Sequence, residues 1–174
     1  QPEAVSRLLV ALDAAARWCD DTENHSALAA TLADAKYIAA PEEIIRQVLA
    51  GRFSVDAQGN QRVIERYFTF HDNFANYPRK SQALWIYSQM IRWGQANFTQ
   101  EAAHAAASAY RSDLYRDALG PSNAPPESDM RIEGDTDGDR FMDGHVFDPS
   151  QIEAYVKDFA VNAGNLGSAS PEDA

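Results

Sequence analysis

Ten residues, Asp135-Thr-Asp-Gly-Asp-Arg-Phe-Met-Asp-Gly144, carry the densest set of potential ligand atoms in the chain. Asp135, Asp137, Asp139 and Asp143 fall at relative positions 1, 3, 5 and 9, the spacing with which a calcium loop wraps oxygen atoms around one hard cation. The match is partial. An EF-hand loop also needs glycine at position 6 and glutamate at position 12, where Arg140 and Val146 stand, and aspartate and glycine are equally what an exposed turn requires. Calcium at these four aspartates is therefore one expectation, and a plain acidic turn is the other.

Arg79 and Lys80 follow Pro78 at the start of a helical pattern, where their charge opposes the partial positive charge of the unpaired amides. A bound anion would relieve that conflict, since helix N-termini are ready anion sites. So would nearby carboxylates, in a chain with 26 acidic residues. His25, His71, His104 and His145 have no cysteine or second histidine at ligand spacing. Cys19 adjoins Asp20 and Asp21 on an apolar stripe, the opposite of the electropositive setting that activates a thiol. There is no Gly-x-Ser-x-Gly elbow, phosphate loop, His-Glu-x-x-His helix or dinucleotide glycine pattern, so the expectation is a protein that is not an enzyme.

These residues need a scaffold, and composition bounds what it can be. The chain has 174 residues, 45% of them hydrophobic, enough for one substantial core. A net charge of -11 argues against nucleic acid and against anionic membrane surfaces, both of which need a lysine or arginine footprint. A single cysteine excludes an internal disulfide. No apolar run approaches the roughly 20 residues that span a bilayer. The chain opens at Gln1 directly into a helical pattern, which reads as a piece of a longer polypeptide.

Periodicity supplies the elements. Val5, Leu8, Leu9, Leu12, Ala16 and Cys19 predict an amphipathic first helix. Asp20-Asp21-Thr22 caps a second through Leu28 and Leu32, and Pro41-Glu42-Glu43 opens a third that stops at Gly51. Residues 52–77 read as irregular, with a turn at 56–60 and a short strand over 63–70. From Pro78 runs a helix whose 83–93 segment is apolar on almost every side, so it should be buried on most faces or covered by something else. One further helical region spans 99–119 and ends at Gly120-Pro121. Residues 121–147 are an acidic loop rich in proline, aspartate and glycine, and Ser150 with Glu153 predicts a capping box for a last short helix. The expectation is one mainly helical domain over 1–160, with at most short strands, and a disordered tail over 161–174.

Several segments, in order, carry a resemblance. They are Leu8-Leu-Val-Ala-Leu12 with Ala16-Arg-Trp-Cys-Asp-Asp21 and Glu23-Asn24; Tyr77-Pro-Arg-Lys-Ser81 with Ala83-Leu-Trp85 and Arg92-Trp-Gly94; Arg111-Ser-Asp-Leu-Tyr-Arg116; and Phe141-Met-Asp-Gly144 with Val146-Phe-Asp-Pro149. Together they resemble the C-terminal part of the nitrate- and bicarbonate-binding proteins of bacterial ABC transporters, relatives of the wider periplasmic type II solute-binding fold. The resemblance implies the helical C-terminal portion of a two-lobed, clam-shaped binding protein. Such a protein holds a small oxyanion (nitrate, nitrite or bicarbonate), delivers it to a membrane permease, and lies in the periplasm or is anchored facing it. The strands that form most of the family's ligand cleft would lie upstream of Gln1, which leaves Arg79 and Lys80 as the weak ligand candidates within this chain. The acidic run fits loosely with a calcium requirement in the bicarbonate-binding relatives. Two alternatives share the same residues: a cytoplasmic nitrate-sensing regulator of the same fold, and a stand-alone helical interaction module with a calcium-stabilised loop.

Overall fold

The computed structural model describes residues 2–126 and 128–162. These residues, expected to form one mainly helical body, gather into two compact units, Gln1–Asn76 and Tyr77–Ala174. The described structure is mainly helical, with two strands of three residues each.

In the first unit, α1 (Pro2–Asp20) starts with proline, whose missing N–H costs nothing in a first turn. A 3-10 turn at Thr22–Asn24 follows, with the Asp21 carboxylate accepting Glu23 N–H at 3.0 Å, and α2 (His25–Ala33) continues from it. Helix α3 (Glu42–Leu49) packs on α2, and their facing residues Leu28, Ala29, Ile45 and Leu49 form the core, lined by Leu32, Cys19 and Phe70.

Beyond α3 the structure departs from the sequence expectation. Strands β1 (Arg52–Ser54) and β2 (Gln61–Val63) pair antiparallel around the 56–60 turn, so the strand ends at Val63, where it was expected to begin. Residues 64–70 cannot extend the ladder. Arg66 turns left-handed at φ 53°, and the amides of Phe70, His71 and Asp72 are taken by the Asp20 side chain. Gly51 joins α3 to the hairpin at φ 65°, and its carbonyl accepts Ile64 N–H. A Cβ there would lie 2.0 Å from the Ile64 carbonyl oxygen, so only glycine fits.

The second unit is built on α4 (Lys80–Arg92), α5 (Gln100–Ala109), α6 (Ser112–Leu119) and α7 (Ile152–Lys157). Its core joins Leu84 and Tyr87 of α4 to Ala103 of α5, Phe147, and Ile152, Tyr155 and Phe159 in and after α7. The single helix expected over 99–119 is two. Tyr110 and Arg111 leave helical geometry, and Thr99 caps α5 by accepting Ala102 N–H at 3.0 Å.

The capping box before α7 is also absent. Gln151 occupies the N-cap position without a side-chain bond, while Asp148 Oδ1 accepts both the N–H and the hydroxyl of Ser150, closing a turn of its own. Helix α4 buries Ser81, Ala83, Leu84, Tyr87 and Ser88, but Ile86, Met90 and Trp93 are exposed. Among the described residues the expected burial on most faces is thus not reached: α5 and α7 are the helices packed on α4, and they leave Ile86, Met90 and Trp93 open. Asn162, assigned to a disordered tail, is buried and donates to Phe159 O at 2.7 Å; the rest of that tail, 163–174, lies outside the described residues.

Candidate functional site

Two constellations gather polar side chains, one in each unit. The first forms where α1 ends. Asp20 stands in the last turn of α1, where a negative charge opposes the helix dipole. Its carboxylate accepts three successive backbone N–H groups, from Phe70 at 2.7 Å, His71 at 2.7 Å and Asp72 at 2.8 Å. Burial alone would raise this carboxyl, but the hydrogen bonds from Phe70, Asp72 and His71 outweigh it and hold the group below its ordinary value.

The loop gripped in this way is strained: Arg66, Asn73 and Phe74 all have positive φ, which is unusual for any side chain and most so for a bulky one. Around it, His71 Nε2 lies 3.3 Å from Asp13, and Arg66 pairs with Asp72 at 3.0 Å. Among the described residues, Asp20, His71 and Asp72 are the one group of three metal-ligating side chains whose atoms fall within 4.8 Å of one another. Their oxygens already serve backbone amides and Arg66. Beside them opens a cleft of about 430 Å³, walled by Leu49, Phe68 and Phe70 and edged by Thr22, His25 and Arg66.

The second constellation surrounds the start of α4. Tyr77 is buried, and its hydroxyl donates to Asp129 at 2.6 Å. Ser112 and Arg116 of α6 donate to the same carboxylate at 2.5 Å and 2.8 Å. Burial would raise the Asp129 carboxyl, but the bonds from Ser112, Tyr77 and Arg116 bring it below its ordinary value. Tyr77 moves the other way, because burial and then its hydrogen bond to Asp129 favour the protonated phenol. One turn on, the Ser81 amide donates to the Asp129 carbonyl at 2.9 Å, and the Ser81 hydroxyl bonds the buried Glu133 carboxylate. Arg131 clamps Glu133 at 2.8 Å and Asp139 at 2.6 Å.

The sequence-derived candidates fall partly within this second arrangement. Arg79 is the residue before α4, only 5% exposed, with its guanidinium 5.9 Å from the Tyr77 ring; Lys80 beside it is half-buried. The helix start already faces the Asp129 carbonyl and the Glu133 carboxylate, which complement its dipole. The four aspartates are not drawn together. Asp135 and Asp137 are exposed, Asp137 pairs with Arg140 at 2.9 Å, Asp139 is held by Arg131, and Asp143 accepts His145 N–H at 3.1 Å.

Sequence reasoning missed Asp20 and Asp129 as organising centres. Asp20 reads locally as a helix cap, because its partners lie 50 to 52 residues away, and Asp129 as one more loop aspartate, because its partners lie 13 to 52 residues away. The one usable signal was Tyr77-Pro-Arg-Lys-Ser81 itself, whose Tyr77, Arg79 and Ser81 all prove buried.

With this geometry in view, comparison with known proteins is informative. No family model matches the chain. The nitrate/nitrite binding protein NrtA of Synechococcus elongatus is 30% identical over 158 residues, covering 89% of this chain and 34% of that protein. The nitrate import ATP-binding protein NrtC of Synechocystis is 28% identical over 158 residues, covering 89% of this chain and 22% of that protein. The crystal structure of the periplasmic nitrate-binding protein NrtA from Synechocystis superposes with a TM-score of 0.77 at 27% identity, over 90% of this chain and 41% of that one. The chain therefore spans about a third of the length of the nitrate/nitrite-binding relative from Synechococcus. Over about nine-tenths of its length it is similar in sequence to part of the nitrate/nitrite-binding proteins and shares the helical fold of that part.

Proposed function

We propose that this chain is the C-terminal helical portion of an ABC-transporter substrate-binding protein for a small oxyanion, nitrate or nitrite, that works by binding and release on the periplasmic side of the membrane. The observation that carries this reading is the agreement of sequence and fold over the same stretch, 27% identity with a TM-score of 0.77 to a nitrate-binding protein. In this reading the chain is scaffold. Its half-buried carboxylates Asp20 and Asp129, both held below their ordinary value by hydrogen bonds, add negative charge that disfavours an anion beside them. Arg79 and Lys80, at the start of α4, are the cations that an oxyanion would meet in this chain. No helix among the described residues is long and apolar enough to cross a membrane, in keeping with a permease as a separate partner.

A second reading is favoured by the match to NrtC: the same portion as the binding-protein-like part of a nitrate-import ATP-binding protein. This chain has no phosphate loop, so nucleotide chemistry would belong to another part of such a protein.

The test is isothermal titration of the native polypeptide that contains this chain with nitrate, nitrite, bicarbonate and sulfate, together with its size and compartment by immunoblot of fractionated cells. Nitrate or nitrite binding by a periplasmic protein supports the first reading. An ATP-hydrolysing polypeptide supports the second, and a free 19.2 kDa chain that binds none of the four anions overturns both.

A further inference from the structure

The His71 ring meets a carboxylate on each of its two edges. Nε2 lies 3.3 Å from Asp13 Oδ1, a buried oxygen that accepts no hydrogen bond among the described residues. The Asp13 side chain is only 11% exposed, and its other oxygen is taken by Arg17 at 2.8 Å. On the opposite edge, Nδ1 lies 4.0 Å from Asp72 Oδ1. A buried carboxylate oxygen without a donor is costly, and this one faces an imidazole whose proton can sit on either nitrogen. A proton fixed on Nε2 would satisfy it and leave Nδ1 as a lone-pair donor. Metal-bound histidines are built in this way: the nitrogen away from the ion donates to a carboxylate, which sets the tautomer and the aim of the other.

Further ligand atoms are at hand beside the ring. Asp20, His71 and Asp72 each offer one within 4.8 Å of the others. Asp20 accepts one amide on Oδ1 and two on Oδ2. An ionised carboxylate has about four acceptor positions, so its Oδ1 keeps one. Asp72 gives Oδ2 to Arg66 and keeps Oδ1; that pair is exposed at both ends, 61% and 59%, and is weak enough to yield to a dication. Ligand atoms on a tetrahedral zinc ion stand about 3.4 Å apart, and rotation of the exposed Asp72 side chain closes the remaining distance. Asp20 and Asp72 both line the cleft of about 430 Å³, which gives an ion and its waters a way in.

We propose that His71 Nδ1, Asp72 Oδ1 and Asp20 Oδ1 form a binding site for a divalent transition-metal ion, zinc being the best match, with Asp13 as the residue that positions the imidazole. One imidazole nitrogen with two carboxylate oxygens suits zinc, whereas calcium takes oxygen ligands alone. The ion joins the end of α1 to the loop whose Asn73 and Phe74 are left-handed, and it stabilises the folded arrangement that binds it. Nothing in the site depends on which anion the whole protein carries.

The experiment titrates zinc chloride by calorimetry into the native polypeptide that contains this chain, stripped of metal with EDTA, and into variants of it. Zinc should bind and raise the melting temperature. Asp13→Asn should weaken binding about tenfold, the lower end for a carboxylate behind a ligating histidine, and His71→Gln and Asp72→Asn should each weaken it further. His104→Gln, exposed on α5, is the control and should bind as tightly as the parent. Nitrogen NMR of the parent supplies a readout that needs no variant to fold: zinc should shift His71 Nδ1 and leave the proton on Nε2. No heat of binding, undiminished affinity in folded His71→Gln, or ligation through Nε2 would each overturn the proposal.

Discussion

The Tyr77 hydroxyl donates to the Asp129 carboxylate at 2.6 Å, across 52 residues of chain, and so ties the turn before α4 to the acidic loop. Ser112 and Arg116 converge on the same carboxylate. Tyr77→Phe should therefore be mild, costing about 1 kcal/mol for one hydrogen bond. Asp129→Ala should cost about 2–4 kcal/mol, because it strands the Tyr77 hydroxyl and leaves Arg116 without its carboxylate. Chemical denaturation of the two variants gives the comparison, and equal losses would contradict the network.

Acid sensitivity follows from the same group and from Asp20. Both carboxyls lie below their ordinary value of 3.8 in the folded chain. A depressed folded value means that the ionised group stabilises the fold above 3.8 and that this contribution disappears as the pH falls through the lower folded value. Stability should be insensitive to these groups above about pH 5 and fall steeply below 3.8. Asp129→Asn should start less stable and lose less on acidification, which melting curves across that range will show.

Asp20 is the anchor of the strained loop after β2. Removing its carboxylate leaves three amides without their acceptor, so Asp20→Ala should cost about 3 kcal/mol, while Asp20→Asn keeps one acceptor oxygen and should cost about half as much. Amide hydrogen exchange would locate the effect: faster exchange at Phe70, His71 and Asp72 is expected, and unchanged protection there would refute the anchor.

Two glycines separate conformational strain from collision. Gly59 has φ 82° with open space where a Cβ would go, so Gly59→Ala should cost about 1 kcal/mol. At Gly51 the added carbon also meets the Ile64 carbonyl at 2.0 Å. Gly51→Ala should cost more than twice as much and release the β1–β2 hairpin, visible as protease cleavage within 52–63.

A calcium ion shared by Asp135, Asp137, Asp139 and Asp143 would have to draw Asp139 from Arg131 and Asp137 from Arg140. With those pairs formed, calcium up to about 1 mM, the range of weak extracellular sites, should leave the melting temperature unchanged in Arg131-containing protein. A rise of several degrees would show that the loop rearranges around the ion.

The sequence by itself determined the helical content and the positions of α1, α2, α3, α4 and α7, because helix formation depends on side chains three and four residues apart. It also carried the likeness to the nitrate-binding proteins, through segments whose order survives in the fold. Only the tertiary structure decided the rest. The break at Tyr110 and Arg111 has no proline or glycine to announce it; Ser112, just past it, is bonded to Asp129 of a distant loop. The alternation over 63–70 did not become a strand, since the chain turns left-handed at Arg66 and Asp20, 50 residues earlier, takes the amide of Phe70 at the segment's end. And α1, amphipathic in sequence, is left with its apolar side open, because pattern states that a side is to be buried while only the folded chain shows what is present to bury it.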